Sequence, residues 1–188
     1  MKKFVWFLAV LAILFSVVSE VNAELLSLIP PPPDDELFPP SGPFGFGGRG
    51  VVFRAEEDFT MSAFEMEATW EGQLDFAVEV YEVVGTSRGD LLSSTEYPAL
   101  SSGPDPFLSL AHIHAFKQGQ IYEIMMRFSD PGVIFPHYNF NNPGLLPEQG
   151  FLVGSKLLVL DGSDFDRAGF SNTWLANFRL ETTEEYSV

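Results

Sequence analysis

Cysteine is absent from the 188 residues. That gap removes a lipid-anchoring cysteine, a thiol nucleophile and any cysteine metal cage, and the fold must hold without disulfides. Long apolar runs are scarce too. The longest uncharged apolar stretch, Phe4 to Val18, has 15 residues, short of the roughly 20 that cross a bilayer as a helix. Basic side chains are few, with 10 Lys and Arg against 26 Asp and Glu and a net charge of −16. A field of that sign repels phosphate backbones and anionic headgroups, so the expected partners include no nucleic acid and no bare membrane surface. There is no Asn-x-Ser/Thr sequon, and no stretch carries the 3.6-residue apolar period of an amphipathic helix.

What is present begins with Met1-Lys2-Lys3, the apolar stretch, a break at Ser19-Glu20 and small residues at Val21-Asn22-Ala23. A basic start, a short apolar centre and a V-x-A exit make residues 1–23 a secretory signal peptide. The mature chain then starts at Glu24 and is expected to be secreted, into the periplasm or the extracellular space. Without Lys2, Lys3 and Glu20 it keeps 8 basic and 25 acidic side chains, a net charge near −17. The sequence closes on Glu184-Glu185-Tyr186-Ser187-Val188, so the expectation is a mature chain with no membrane anchor.

Residues 24–50 read as a linker. Pro30 to Pro33, Pro39, Pro40 and Pro43 favour an extended polyproline conformation, and Phe44-Gly45-Phe46-Gly47-Gly48-Arg49-Gly50 follows as a flexible lead into the domain. No Gly-Lys-Ser/Thr accompanies these glycines, so they are not a phosphate loop. From residue 51 to 183 the period is two. Phe64, Met66, Ala68 and Trp70 alternate with Glu65, Glu67 and Thr69, as in a strand with one buried face. Phe59 and Met61 alternate in the opposite phase, so a bulge is expected near Ala63. Further strands are expected at 74–80, 91–92, 107–116, 121–128, 157–160 and 175–180, with a long Pro/Asn/Gly-rich loop over 130–150. About eight short strands, with 16 Phe and 2 Trp left after the leader to fill a core, predict an all-β fold: a single antiparallel β-sandwich, jelly-roll-like, followed by a tail at 184–188.

Some of these strands share residues with a known group. Val52-Phe53 with Asp58-Phe59-Thr60-Met61-Ser62-Ala63-Phe64, then Val78-Glu79-Val80-Tyr81 with Gly89-Asp90-Leu91-Leu92-Ser93-Ser94-Thr95, resemble the opening strands and hairpin of secreted bacterial β-sandwich modules. Gln118-Gly119-Gln120-Ile121-Tyr122-Glu123-Ile124 and Ala176-Asn177-Phe178-Arg179-Leu180 are similar to later strands of those modules. Such modules often precede PEP-CTERM-type sorting tails in surface proteins. The resemblance implies a sandwich at the cell exterior and carries no catalytic residues onto this chain.

Four constellations carry chemistry. His112-Ile113-His114 puts two imidazoles on one face of a strand, as cupin-type jelly-roll metalloenzymes do, and His137 is the remaining histidine. Three imidazoles would hold Zn, Fe or Mn with an open position, although the glutamate of the first cupin motif is replaced by Gln118. The competing reading makes His112 and His114 hydrogen-bonded scaffold residues. Asp161, Asp164 and Asp166 gather after a strand, where oxygen ligands would suit a structural calcium, and where an ordinary acidic turn is the commoner arrangement. Tyr138, Asn139 and Asn141 lie in the long loop, where rings stack on sugar faces and amides bond hydroxyls. Arg88-Gly89-Asp90 is the integrin tripeptide, read as turn chemistry at a hairpin tip. The favoured function is a non-catalytic binding or structural module with a polysaccharide or a surface protein as partner. The alternative is a metal-dependent, cupin-like enzyme using His112, His114 and His137.

Overall fold

In a computed structural model of the chain, the described residues are 23–28, 47–103, 105–136, 138–141, 150–165 and 174–183. They form two antiparallel sheets packed face to face, an all-β sandwich as the alternation predicts. Sheet A runs β1 (Ala23–Ser27), β13 (Phe178–Thr183), β3 (Phe59–Trp70) and β6 (Phe107–Phe116), and β8 (Ile134–Pro136) joins the far end of β3. Sheet B runs β10 (Phe151–Val153), β11 (Leu157–Asp164), β2 (Gly48–Ala55), β7 (Ile121–Phe128), β4 (Gln73–Val84) and β5 (Ser87–Ser101). A separate ribbon pairs β9 (Tyr138–Asn141) with β12 (Trp174–Ala176). The only helical turn among the described residues is a 3-10 turn at Pro131–Val133, whose first amides Asp130 caps through Gly132 N.

The facing sides are apolar because each strand turns every second residue inward. Phe53, Phe59, Phe116 and Tyr122 meet at one end of the sandwich, with Phe53–Phe116 and Phe116–Tyr122 ring centroids at 5.2 and 4.9 Å. Trp70, Phe76 and Phe128 meet at the other. Phe64 stacks on Phe178 between them at 4.9 Å. Burying each ring contributes roughly 1.5–3 kcal/mol, so the rings replace the missing disulfides as the source of cohesion.

The phase switch in β3 is a bulge. Between Met61 and Ala63, Ser62 has no register partner in β13, where Thr182 and Glu181 are consecutive, and its hydroxyl donates to the Glu181 carbonyl at 3.3 Å. On its other side β6 uses three steps, Ala111 to His114, for the same two. Phe59 and Met61 before Ser62, and Phe64 and Met66 after it, therefore all reach the core.

Three expectations change. The span 24–50 is strand at both ends: β1 pairs with β13, Leu26 and Leu28 are buried in the core, and Gly48, Arg49 and Gly50 begin β2. Glycine is needed there for proximity rather than freedom, since a Cβ on Gly50 would strike the Ile124 carbonyl and the Met125 sulfur. The long loop contributes β8 and β9, with Ile134 in the core. The short strand at 91–92 is part of the 15-residue β5. The leader to residue 22, residues 29–46 of the linker and the tail at 184–188 lie outside the described residues.

Candidate functional site: a histidine seam and an amide-aromatic ribbon

β5 and β6 are the free edges of sheets B and A on the same side of the sandwich, and side chains close the gap between them. Strand alternation turns His112 and His114 both inward, toward Ser93, Thr95 and Tyr97 of β5. Ser93 Oγ lies 2.9 Å from His112 Nε2 and 2.8 Å from His114 Nδ1, and Thr95 Oγ1 lies 2.8 Å from His112 Nδ1. The Tyr97 hydroxyl donates to the Ala111 carbonyl. Ser93 has one hydroxyl proton, so it donates to one imidazole and accepts from the other. A continuous chain Thr95–His112–Ser93–His114 results, which runs in one of two directions according to the ring tautomers.

Burial lowers the pKa of both imidazoles, and for His112 the charge of His114 adds to that effect. His114 also packs on Phe116 at 4.7 Å. Two neutral rings sharing one hydroxyl are a good hydrogen-bonded closure. They are also two nitrogen donors aimed at one point. His137, the third donor of the metal reading, lies outside the described residues. Gln118 stands in the β6–β7 turn, where its amide donates to the Glu56 carbonyl and its backbone N–H to Asp58. Among the described residues, no three His, Asp or Glu side chains gather as metal ligands.

Asp161 and Asp164 lie within a strand and not in a turn. β11 continues through Asp164, and the register steps past Leu160, so that Asp161 opposes Val52 while Asp164 opposes Arg49. Three residues apart on a strand, the two positions lie on opposite faces. Asp161 is buried and accepts from Gly162 N, and Asp166 lies outside the described residues.

Arg88 is not at the hairpin tip, which falls at Gly85–Thr86, but inside β5. Its Nε and Nη2 hold Glu123 Oε2 and Oε1 at 2.7 Å each, and Nη1 donates to the Phe165 carbonyl at 3.0 Å. Ser163 donates to the same carboxylate. The guanidinium that an integrin would need is committed to the scaffold.

Tyr138, Asn139 and Asn141 sit on β9. Its ladder with β12 sets Trp174 opposite Asn141 and Ala176 opposite Tyr138, with Asn139 the extra residue of a bulge. Trp174 is a position that the sequence reading missed. Its signal was an aromatic at the head of an apolar run taken as one strand; Asn177, buried and donating to Glu67 at 2.6 Å, divides that run into β12 and β13.

No family model matches the chain, and no curated protein is similar to it. A solved structure of the cysteine protease and lectin-like domains of Cwp84, a surface layer associated protein of Clostridium difficile, is similar at 11% identity with a TM-score of 0.38. The match covers 73% of this chain and 32% of that one, so this chain spans about a third of the other's length. No comparison links the chain to modules that precede PEP-CTERM-type tails.

Proposed function

We propose that the chain is an exported, non-catalytic binding module whose β9–β12 ribbon recognises a neutral polysaccharide. The observation that carries this reading is the register of that ribbon, which sets Trp174 against Asn141 beside Tyr138 and the bulged Asn139. Flat rings cover the apolar faces of sugars, and side-chain amides offer one acceptor and two donors to hydroxyls. The ribbon belongs to neither main sheet, so its residues are not required for the sandwich ladders. The net charge of −16 argues for an uncharged glycan over a polyanion. Export rests on the leader at 1–23.

Retention of the exported protein on insoluble neutral glycans such as cellulose and chitin tests the reading. Retention that falls at least tenfold in Trp174→Ala and Asn141→Ala, with unchanged circular dichroism, supports it. Absence of retention on any such glycan, or retention equal in the variants, overturns it. A surface protein captured through the same residues would replace the glycan as partner.

One observation favours a second reading: His112 Nε2 and His114 Nδ1 converge on Ser93 Oγ. With His137 these imidazoles would hold a first-row ion and support metal-dependent chemistry. Elemental analysis of the purified protein decides it. Stoichiometric Zn, Fe or Mn that is lost in His112→Ala favours the enzyme, and metal-free protein excludes it.

A further inference from the structure

We propose that β1 is an exchangeable strand: residues 24–28 of one copy dock on β13 of a second copy, linking chains through their N-terminal arms. This interface is independent of the glycan reading.

β1 is the outermost strand of sheet A and pairs in that sheet only with β13, from Ala23–Thr183 to Ser27–Arg179, and the four pairs from Glu24 onward belong to the mature chain. It is nevertheless required by the core. Leu26 and Leu28 are buried, Leu28 N donates to the Phe178 carbonyl at 2.8 Å, and buried Lys156 lies 3.7 Å from Glu24 while holding Glu57 at 3.0 Å. A sandwich without β1 would expose the β13 edge and the pocket that those two leucines fill. That site accepts one sequence best, and every copy of the chain carries it.

The connection favours a neighbour's strand. Leu28 leaves sheet A level with Phe178, heading toward the Trp70 end of the sandwich, where Gly47 enters sheet B beside Phe128. Facing sheets lie about 10 Å apart and adjacent strands about 4.8 Å, so the gap from edge strand β1 to β2, third in its sheet, is on the order of 15 Å. Residues 29–46 span that gap with 18 residues, seven of them proline. Proline-rich chain extends by about 3.1 Å per residue, or about 55 Å for this length. A proline-rich connector whose extended reach is several times its span lowers the effective concentration of its own strand at the site. Exchange keeps every contact of β1 and lets the connector run straight between molecules.

The absence of cysteine makes the test direct. Leu25 and Glu181 are register partners, and Leu25 is exposed. Exported protein carrying Leu25→Cys is unfolded and refolded together with protein carrying Glu181→Cys, then bridged with a short bis-maleimide. Exchange yields covalent heterodimers, several-fold more abundant than when the two variants are mixed already folded, and rising with protein concentration. The double variant L25C/E181C yields dimers and longer ladders on a denaturing gel. Circular dichroism and solubility matched to the parent verify folding of each variant. Closed monomers of the double variant at every concentration, with no heterodimer after co-refolding, overturn the proposal.

Discussion

The Arg88 guanidinium grips both carboxylate oxygens of Glu123 at 2.7 Å, on the side of sheet B turned away from the core. Glu123 is fully buried and Arg88 is partly buried. Removing the cation leaves an uncompensated buried charge, which costs about 3–5 kcal/mol. Arg88→Ala is therefore expected to lower the denaturant midpoint steeply. Arg88→Lys should recover only part of the loss, because a single ammonium cannot reproduce the fork or reach the Phe165 carbonyl as well. A loss below about 1 kcal/mol in Arg88→Ala would show the pair to be solvated.

Directly opposite Glu123 in the same sheet, the Tyr81 hydroxyl donates to Glu79 Oε2 at 2.7 Å. Burial, then the hydrogen bond and charge of Glu79, push its pKa up to about 12. An unfolded tyrosine titrates near 10. The folded state therefore holds this proton more tightly, and the associated stability is complete below about pH 10 and is lost as pH rises toward about 12. Absorbance titration at 295 nm should show a late phenol that Tyr81→Phe removes, beside Tyr97, which burial also raises. Loss instead of a phenol titrating near 10 would contradict the Glu79 contact.

The fold was legible where one physical cause dominates. Alternation in Phe64 to Trp70 gave the strand, and its inverted phase at Phe59 and Met61 gave the bulge at Ser62. It was illegible where composition and neighbours disagree. Leu25 to Leu28 sit before four prolines and read as tether, yet β13 offers them an edge. Gly48 and Gly50 read as flexible, yet two backbones meet there. Asp161 and Ser163 read as a loop, yet β2 extends their strand. For the seam, strand alternation placed His112 and His114 on one face; nothing local announced Ser93 and Thr95, which arrive from the opposite sheet.

Gly50 converts that lesson into a measurement. Its position between Ser163 of β11 and Met125 of β7 leaves no room for a methyl group against the Ile124 carbonyl. The obstacle is backbone in a central strand, so it cannot swing aside. Gly50→Ala is expected to abolish soluble folded protein or lower the melting temperature by well over ten degrees. At Gly85, where φ is 65° and a Cβ would meet open space, alanine meets only backbone strain and should cost on the order of 1 kcal/mol. Equal effects at the two sites would mean that β2 does not lie where its register puts it.

Ser93 is the hinge of the seam because it serves two rings with one hydroxyl. In Ser93→Ala, His112 Nε2 and His114 Nδ1 both lose their partner, while Thr95 still bonds His112 Nδ1 at 2.8 Å. Leaving such buried polar atoms unsatisfied costs about 1–3 kcal/mol. Thr95→Val strips one bond from one ring and should cost less, near the lower end of that range. Because both substitutions act on the same chain of hydrogen bonds, the double variant is expected to fall short of the summed losses by at least 0.5 kcal/mol, the scale of coupling between touching residues. Denaturant melts of the four proteins measure that coupling. Strict additivity would mean that the two hydroxyls act on separate rings, and that the β5–β6 side of the sandwich is closed by packing instead of by a shared polar chain.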